Sequence, residues 1–229
     1  MKLRIASYNI RKSVGLDWKR RPDRILRILA EIDADVVLLQ EADRRFGSRA
    51  GTLPAPALEQ HLGYKILEVS TREQSHGWHG NALLVRDQYQ VSSVCRVKLP
   101  CIEPRGAVSA TIDFQDDKSL CVVGVHLSLL KTVRRWQYRA IEKFLSKNNS
   151  VQSIVAGDFN ERGEISAEFF SNAFVIHTPQ PTFHTQKPIW SLDRFIASNN
   201  VNMVQCQTFK SDAARIASDH FPIVADLLI

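Results

Sequence analysis

The stretch Ser153–Asn160, SIVAGDFN, begins like a buried strand and ends in polar residues. Ser153–Ala156 has the short apolar and β-branched character of a chain that enters a core. Gly157 interrupts this run, and Asp158 and Asn160 follow it with an aromatic residue between them. Aspartate and asparagine are common turn residues, because their side chains bond to their own backbone. A carboxylate and an amide at the end of a core strand also suit a reactive site, and the remainder of the sequence decides between these interpretations.

The bulk composition is that of an ordinary globular protein. The chain has 229 residues, of which 44% are hydrophobic and 24% are charged. This length and balance predict one domain that spans residues 1–229. The net charge of +6 and the isoelectric point near 9.3 modestly favour an anionic partner, either nucleic acid or an anionic lipid surface.

Targeting signals and cysteines indicate the compartment. The beginning of the sequence lacks the apolar segment and cleavage site of a signal peptide, and no apolar run has the length of a membrane-spanning helix. The four cysteines show no CxxC spacing, so we expect free, buried thiols rather than a zinc site. We therefore expect a cytoplasmic protein, and a monomer, because nothing in the sequence indicates a protein partner.

Short apolar runs with β-branched residues predict many strands and few helices. One helix opens at Pro22 and carries an apolar stripe at Ile25, Ile28, Leu29 and Ile32,. A second helix has apolar residues at helical spacing from Val133 to Leu145 and ends near Asn148 and Asn149, and its arginines 134, 135 and 139 are expected to face solvent. The stretch ISAEFFSNAF, residues 165–174, suggests a short third helix. These elements predict a layered α/β domain with strands packed sheet on sheet and helices on the outer faces.

Polar residues of one chemical kind follow several of the apolar runs. They are Asn9, Glu41, His126, Asp158, Asn160, Asp193, Asp219 and His220. Each alone has an ordinary explanation as a turn residue, an ion-pair partner or a buried histidine. Together they are harder to explain, because carboxylates beside apolar runs lose solvation unless a cation or hydrogen-bond donors meet them. Oxygen-rich clusters suit Mg²⁺ or Mn²⁺, whereas zinc usually has more imidazole or thiolate ligands. The pattern therefore indicates metal-assisted chemistry on phosphate.

The order of the motifs resembles that of a known family. SYNI, LLQEAD, HGNALLV, GVHL, GDFN, SLDRF and SDHFPI occur in the order found in the endonuclease/exonuclease/phosphatase family,. Proteins of this family are similar in fold to DNase I and exonuclease III. The resemblance implies a four-layered αββα sandwich with two mixed sheets face to face, helices outside and an active site at the strand ends. It also implies hydrolysis of a phosphoester by in-line attack of water, without a covalent enzyme intermediate.

The resemblance assigns roles to the polar residues. Glu41 matches the principal metal ligand, assisted by Asn9 and Asp219. Asp158 matches the residue that orients or deprotonates the attacking water, and Asn160 fixes its position or that of the phosphate. The remaining roles are contact with the scissile phosphate by His220, orientation of that imidazole by Asp193, and donation of a charged hydrogen bond to another phosphate oxygen by His126.

Three further residues are candidates for substrate binding. Asn81 lies where relatives often have a polar residue that faces the cleft. Arg105 either clamps a phosphate or pairs with Glu103 on its loop. Trp78, with His79 beside it, either lines the substrate pocket or packs as a partly buried tryptophan at its rim.

The departures from the family pattern concern the substrate. Repair enzymes similar to exonuclease III usually have a tyrosine where this sequence has His126, and an acidic residue where Arg11 and Lys12 follow the first asparagine. We therefore expect a phosphodiesterase of the nuclease type, but not specifically an abasic-site endonuclease. Hydrolysis of a phospholipid, an inositol phosphate or another small phosphoester is the alternative. A non-catalytic scaffold is a third interpretation, although none of the main motif residues is missing.

Overall fold

A computed structural model of the chain describes residues 1–115, 118–147 and 152–229. The elements in chain order are β1 (Lys2–Asn9), α1 (Pro22–Ile32), β2 (Val36–Gln40), β3 (Tyr64–Ile66), β4 (Ala82–Arg86), β5 (Gln90–Val97), β6 (Gly106–Asp113), β7 (Ser119–His126), α2 (Lys131–Ser146), β8 (Gln152–Asp158), β9 (Phe174–His177), β10 (Asp193–Ser198), β11 (Asn202–Thr208), α3 (Ala214–Ala217) and β12 (Ile223–Leu228).

The strands form two six-stranded sheets with the same topology. The first has the order β11-β12-β1-β2-β4-β3, and the second has the order β5-β6-β7-β8-β10-β9. In each sheet the central pair is parallel, β1 with β2 and β7 with β8, and all other pairs are antiparallel. α1 joins the first parallel pair and α2 joins the second, as a parallel connection requires,. The predicted sandwich of two mixed sheets is confirmed.

Three apolar clusters hold the layers together. The central cluster lies between the sheets and contains Leu38, Val122 and Ile154. A second cluster packs the stripe of α1 onto the outer face of the first sheet. A third packs α2 onto the outer face of the second sheet through Tyr138 and Ile141. The α1 stripe was predicted from its spacing, and burial of that stripe is what fixes the helix to the sheet.

Gly157, in the stretch SIVAGDFN, is required by a close approach of two strands. Its φ is +156°, and a Cβ atom at this position would lie 1.9 Å from the carbonyl oxygen of Val125 on β7. Any side chain would therefore push β7 and β8 apart at the point where both strands reach the polar edge.

Several expectations about elements and burial were wrong. Residues 165–174 contain only one helical turn, Ala167–Phe169, because Phe169 and Phe170 pack against Tyr138 on α2. Cys95 and Cys101 are exposed and only Cys121 is buried, because Cys95 lies on the edge strand β5. A further expectation is untested: α2 spans Lys131–Ser146, and its expected end near residues 148 and 149 lies outside the described residues.

No helix within the described part of the chain is both long and apolar enough to cross a membrane.

Candidate active site

The register of the central strands brings the polar strand ends of both sheets to one edge. In the first sheet, Asn9 pairs with the residue before Glu41. In the second sheet, His126 at the end of β7 pairs with Asp158 at the end of β8. Because β10 runs antiparallel to β8, its first residue, Asp193, also pairs with Asp158. A cavity of about 860 Å³ lies over this edge and is lined by side chains from both sheets.

One carboxylate oxygen lies at the centre of the arrangement. Asp158 is 1% exposed, and its Oδ2 accepts a hydrogen bond from Asn9 Nδ2 at 3.0 Å. The same oxygen lies 3.3 Å from His126 Nε2 and 3.7 Å from His220 Nε2. Its Oδ1 accepts a hydrogen bond from the backbone N–H of Asn160 at 2.9 Å. Burial raises the pKa of Asp158 to about 6, although the charge of His220 opposes this shift,.

A second buried carboxylate orients His220. The Nδ1 atom of His220 lies 2.8 Å from Asp193 Oδ2, and the same oxygen accepts a hydrogen bond from the Thr182 hydroxyl at 2.6 Å. Burial lowers the pKa of His220, but Asp193 and Asp158 outweigh burial and raise this pKa to about 10. The imidazole is therefore a cation at neutral pH, with Nε2 directed toward Asp158. The contact that the sequence analysis assigned to Asp193 and His220 is present.

The charge expected on His126 is instead supplied by Arg105. Arg105 Nη1 lies 2.7 Å from Nδ1 and 2.6 Å from Nε2 of the imidazole. Burial and this guanidinium together hold the pKa of His126 well below its usual value. The imidazole therefore lies between the Arg105 guanidinium and the Asp158 carboxylate, whose Oδ2 is 3.3 Å from Nε2. Two cations in one buried contact repel each other, so Arg105 opposes a positive charge on His126; the predicted contact of His126 with a phosphate oxygen stays a prediction.

The three predicted metal ligands border the same cavity, and two of them are already ion-paired. Glu41, Asn9 and Asp219 all line it. The Lys12 ammonium pairs with the Glu41 carboxylate, and Arg11 Nε lies 3.5 Å from Asp219 Oδ2. Asn9 Oδ1 accepts a hydrogen bond from the Arg11 backbone N–H at 3.1 Å. Each ion pair involves one oxygen of its carboxylate, Glu41 Oε2 and Asp219 Oδ2.

An unusual backbone turn brings the two basic side chains to these carboxylates. Arg11, Lys12 and Ser13 have φ values of 46°, 57° and 58°, a region that residues with side chains rarely adopt. The turn is held by a hydrogen bond from the Lys12 N–H to the Glu41 carbonyl at 3.0 Å and by the Ser13 hydroxyl, which donates to Thr52 Oγ1 at 3.0 Å.

The donor set fits a hard divalent cation. Glu41 and Asp219 offer carboxylate oxygens that are partly exposed to the cavity, and Asn9 offers an amide oxygen. A second group, Asp158, Asp193 and His220, has potential ligand atoms within 4.8 Å of one another. Its residues are buried, and His220 lies between the two carboxylates, 2.8 Å from Asp193 and 3.7 Å from Asp158, so this group suits a charge network better than a metal site.

Comparison with known proteins identifies the family. The model of the Endonuclease/Exonuclease/phosphatase family matches residues 6–220. The chain belongs to this family. The resemblance seen in the ordered motifs is therefore confirmed, and membership supports a phosphoester hydrolase of the phosphodiesterase and nuclease type. The family is generally dependent on a divalent cation. No curated protein matches the sequence significantly.

Solved structures of the family share the fold. TDP2 from D. rerio, in complex with a single-strand DNA product, is 21% identical with a TM-score of 0.77, and the match covers 100% of this chain and 99% of that one. A family protein from Bacteroides vulgatus is 20% identical with a TM-score of 0.77, covering 100% and 99%. The human Nocturnin catalytic domain with a bound sulfate anion is 20% identical with a TM-score of 0.73, covering 99% and 93%. At these identities the likeness concerns the fold alone.

Two predicted substrate-binding residues of this family member lie away from the cavity. Asn81 is fully buried and donates to the carbonyls of Trp78 at 3.3 Å and Gly106 at 3.1 Å. The Trp78 ring packs over Gly106, where a Cβ atom would lie 2.4 Å from it, and it contacts the core between the sheets. The expectation that Asn81 faces the cleft is wrong, because its amide holds the loop in place. Trp78 takes the alternative role of a partly buried packing residue, whereas His79 does line a neighbouring cavity.

The structure also distinguishes between the two interpretations of Arg105, a phosphate contact and an ion pair with Glu103. Arg105 lies against His126, whereas Glu103 accepts hydrogen bonds from the Ser128 hydroxyl at 2.6 Å and the Leu129 N–H at 2.9 Å. The guanidinium therefore points toward the cavity that contains Glu41 and Asp158.

Arg134 is a supporting residue that the sequence analysis missed. It was expected on a solvent face, but it is 5% exposed and pairs with Glu161 at 3.0 Å. It also donates to the carbonyls of Ser128 at 3.0 Å and Leu129 at 2.8 Å. These bonds join the segments that follow β7 and β8. The burial of Arg134 could have been predicted from the sequence. Arg134 lies four residues before position 138 and seven before position 141, so it shares a helix face with these residues of the buried stripe.

Proposed function

We propose that the chain is a Mg²⁺- or Mn²⁺-dependent phosphodiesterase in which a water molecule attacks phosphorus in line. One observation carries this proposal: Asn9, His126 and His220 converge on a single oxygen of the buried Asp158 carboxylate. The two sheets thus supply a base, an amide and imidazole donors within one small volume, as hydrolysis of a phosphate ester requires.

Asp158 is assigned to the attacking water. Its pKa of about 6 lies near the working pH, which is favourable for a general base. The Asn160 N–H fixes Oδ1, and the Asn160 side chain donates to the Leu127 carbonyl at 2.9 Å. Asn160 therefore positions the carboxylate and the loop that carries it.

The phosphate is assigned to the basic side of the cavity. His220, a cation held by Asp193, donates to the scissile phosphate through Nε2. His126 contributes its single N–H, and Arg105 contributes positive charge where negative charge develops in the transition state.

Glu41, Asn9 and Asp219 are the residues that would hold the cation, which when bound polarises a phosphoryl oxygen and stabilises the leaving oxygen. Within the chain, Lys12 and Arg11 balance the charge of the two carboxylates.

For the substrate, we propose a phosphodiester with negative charge. Basic residues at positions 44, 45 and 49 beside the cavity support attraction of either a nucleic acid or an anionic lipid headgroup. The DNA product bound to D. rerio TDP2 supports the nuclease form. Exposed apolar residues around the cavity favour the lipid form. We also propose that the protein is a cytoplasmic monomer with one domain over residues 1–229. The free cysteines support the cytoplasmic location,.

The test is hydrolysis by the full chain with Mg²⁺, Mn²⁺ or EDTA. The substrates are plasmid and single-stranded DNA, RNA, inositol phosphates, phospholipid vesicles and the artificial diester bis(p-nitrophenyl) phosphate. Asp158→Asn and His220→Ala should each lower the rate about 100-fold or more. Asp212→Asn and His61→Ala, on exposed residues, are the matched controls and should retain the rate.

Activity that persists in EDTA or in Asp158→Asn contradicts the proposal. Absence of activity on every substrate, together with absence of Mn²⁺ binding, would instead favour the non-catalytic scaffold.

A further inference from the structure

A hairpin arm beside the active site ends in an exposed aromatic residue. Residues 42–52 fold back on themselves, and the Arg44 N–H donates to the Ala50 carbonyl at 2.9 Å. Phe46, at the tip, is 80% exposed. Its nearest cationic neighbour is the guanidinium of Arg45, whose Cζ lies 5.7 Å from the ring centroid. Because an exposed phenylalanine has an unfavourable contact with water, a tip of this kind suggests a partner that covers it.

The arm also presents three arginines without acidic partners. Arg44, Arg45 and Arg49 line a cavity of about 410 Å³ that borders the active site. Among the described residues, no carboxylate lies within ion-pair distance of any of the three. The acidic residues that line the same cavity are bonded elsewhere: Glu41 to Lys12, Asp43 to Ser75 and His76, and Glu103 to Ser128 and Leu129. The positive charge of the arm is therefore available to an external anion.

The same cavity is also lined by exposed aliphatic residues. Leu129 and Leu130 line it and are 67% and 53% exposed, and Ile102, beside Glu103, is 76% exposed. The hydrogen bond from the Leu129 N–H to Glu103 keeps these two segments together. Phe46 and Ile102 are next in sequence to the lining residues Arg45 and Glu103. We refer to the four exposed apolar residues Phe46, Ile102, Leu129 and Leu130 as the apolar rim.

We propose that this apolar rim docks on the surface of a bilayer containing anionic phospholipid, so that the active site receives a phosphodiester headgroup. Arginines near a membrane surface attract anionic lipids, and apolar side chains bind by entering the boundary between headgroups and acyl chains. Nucleic acid is the weaker candidate, because single strands bind through stacking on aromatic rings, and three of the four rim residues are aliphatic. The substrate assignment rests on the proposed function, whereas the docking itself does not.

The experiment measures flotation of the full chain with vesicles in EDTA, where no metal-dependent turnover takes place. Vesicles of phosphatidylcholine with phosphatidylglycerol should carry the protein upward, and vesicles of phosphatidylcholine alone should not. The variant Phe46→Ser/Ile102→Ser should bind the vesicles at least about tenfold more weakly. Arg44→Gln should weaken binding about fivefold, and added salt should weaken it further. Val204→Ser is the matched control, since Val204 is an exposed apolar residue on β11, and it should bind like the unmodified chain.

Hydrolysis of bis(p-nitrophenyl) phosphate separates this inference from the proposed function. The rate should be unchanged in Phe46→Ser/Ile102→Ser, because neither residue lines the cavities of the site. Failure to float, or equal flotation of the variant, overturns the docking proposal while leaving the diesterase intact. If the chain does not float with the vesicles but binds single-stranded DNA, and this binding depends on Phe46, the rim is assigned to nucleic acid. This outcome also overturns the docking proposal.

Discussion

At the scale of single residues, the ion pair between Lys12 and Glu41 affects the affinity of the site for a divalent cation. The proposed ligand Glu41 already has a cationic partner, so a bound metal must displace the ammonium group or accept its repulsion. Two like charges a few ångströms apart near a protein surface repel by several kcal/mol at an effective dielectric constant of about 20. Lys12 therefore lowers the affinity of the site for a cation.

We expect Lys12→Met to bind Mn²⁺ more tightly than the unmodified chain. The change should be about tenfold or more, since each ~1.4 kcal/mol changes the dissociation constant tenfold. Isothermal titration calorimetry measures it without any substrate. Lys19→Met is the control, because Lys19 is exposed on the same loop. Unchanged or weaker binding in Lys12→Met would mean that Glu41 does not hold the ion.

His126 predicts a pH dependence of stability. Burial and Arg105 hold its pKa in the folded chain well below the usual value, whereas in the unfolded chain it is about 6.5. Below pH 6.5 the unfolded chain binds a proton at His126 that the folded chain does not, so the contribution of His126 to stability falls as the pH is lowered. The difference approaches about 1.4 kcal/mol for each pH unit below that value. The raised pKa values of His220 and Asp158 act in the opposite direction.

Urea unfolding in EDTA at pH 6.5 and 5.5 measures this effect. Between pH 6.5 and 5.5 the stability of His126→Gln should rise relative to that of the unmodified chain. His61→Gln, which alters an exposed histidine, should show the same pH dependence as the unmodified chain. An identical pH dependence in His126→Gln would contradict the buried neutral imidazole.

The positions of polar residues at strand ends could be predicted from the sequence, whereas the orientations of residues on loops could not. His126 and Asp158 meet because the register of β7 and β8 pairs them, and register follows from alternation and parallel pairing. Asn9, at the end of β1 in the other sheet, reaches Asp158 because the two sheets pack face to face. Asn81 and Trp78 lie on a loop whose hydrogen bonds turn them inward. The pairing of Lys12 with Glu41 depends on three consecutive residues with positive φ, a conformation for which sequence propensity gives no signal.

At the scale of elements, α2 is tied to the active-site loops by Arg134. Its guanidinium satisfies Glu161 and the carbonyls of Ser128 and Leu129. Removal of one partner from a buried ion pair usually costs about 3–5 kcal/mol, because the other charge stays buried without a partner. Glu161 is partly exposed, so the lower end of that range applies here.

We expect Arg134→Met to lower the free energy of unfolding by about 3 kcal/mol. Urea denaturation followed by circular dichroism measures the change. Arg139→Met is the matched control, since Arg139 is exposed on the same helix and should change stability by less than about 0.5 kcal/mol. A similar small effect in both variants would mean that the Arg134 bonds do not stabilise the loops.

A helix or strand could be predicted from the sequence when the residues of that segment alone show its start residue or its apolar spacing. Pro22 and the spaced isoleucines of α1 act locally, so that helix was predicted correctly,. The short helix predicted over residues 165–174 would end at Phe174, but Phe174 begins β9, because it pairs with Ser198 on β10. α3, a single turn at Ala214–Ala217, was not predicted at all, since one turn has too few residues for a periodic pattern.

At the scale of the whole molecule, the two equivalent sheets share one core, and the active site depends on both. Asp158, His126 and Asp193 come from the second sheet. Asn9, Glu41 and the segment before β12 that carries Asp219 and His220 come from the first. Leu38 on β2 packs across the interface, where a Cβ atom at Gly124 on β7 would lie 3.2 Å from its Cδ2 atom. The alignment of the two halves of the site therefore depends on packing that lies away from it.

Leu38→Ala tests this shared core and the prediction that residues 1–229 form one domain. Leu38 is fully buried, so its truncation should lower the free energy of unfolding by about 2–5 kcal/mol. If the sheets unfold as one unit, tryptophan fluorescence and circular dichroism should report the same urea midpoint, shifted equally, with an unchanged slope. Leu228→Ala, on a partly exposed strand end, should shift it little. Two separate transitions, with only one shifted by Leu38→Ala, would show that the sheets fold independently, and the site would then be an interface between two domains.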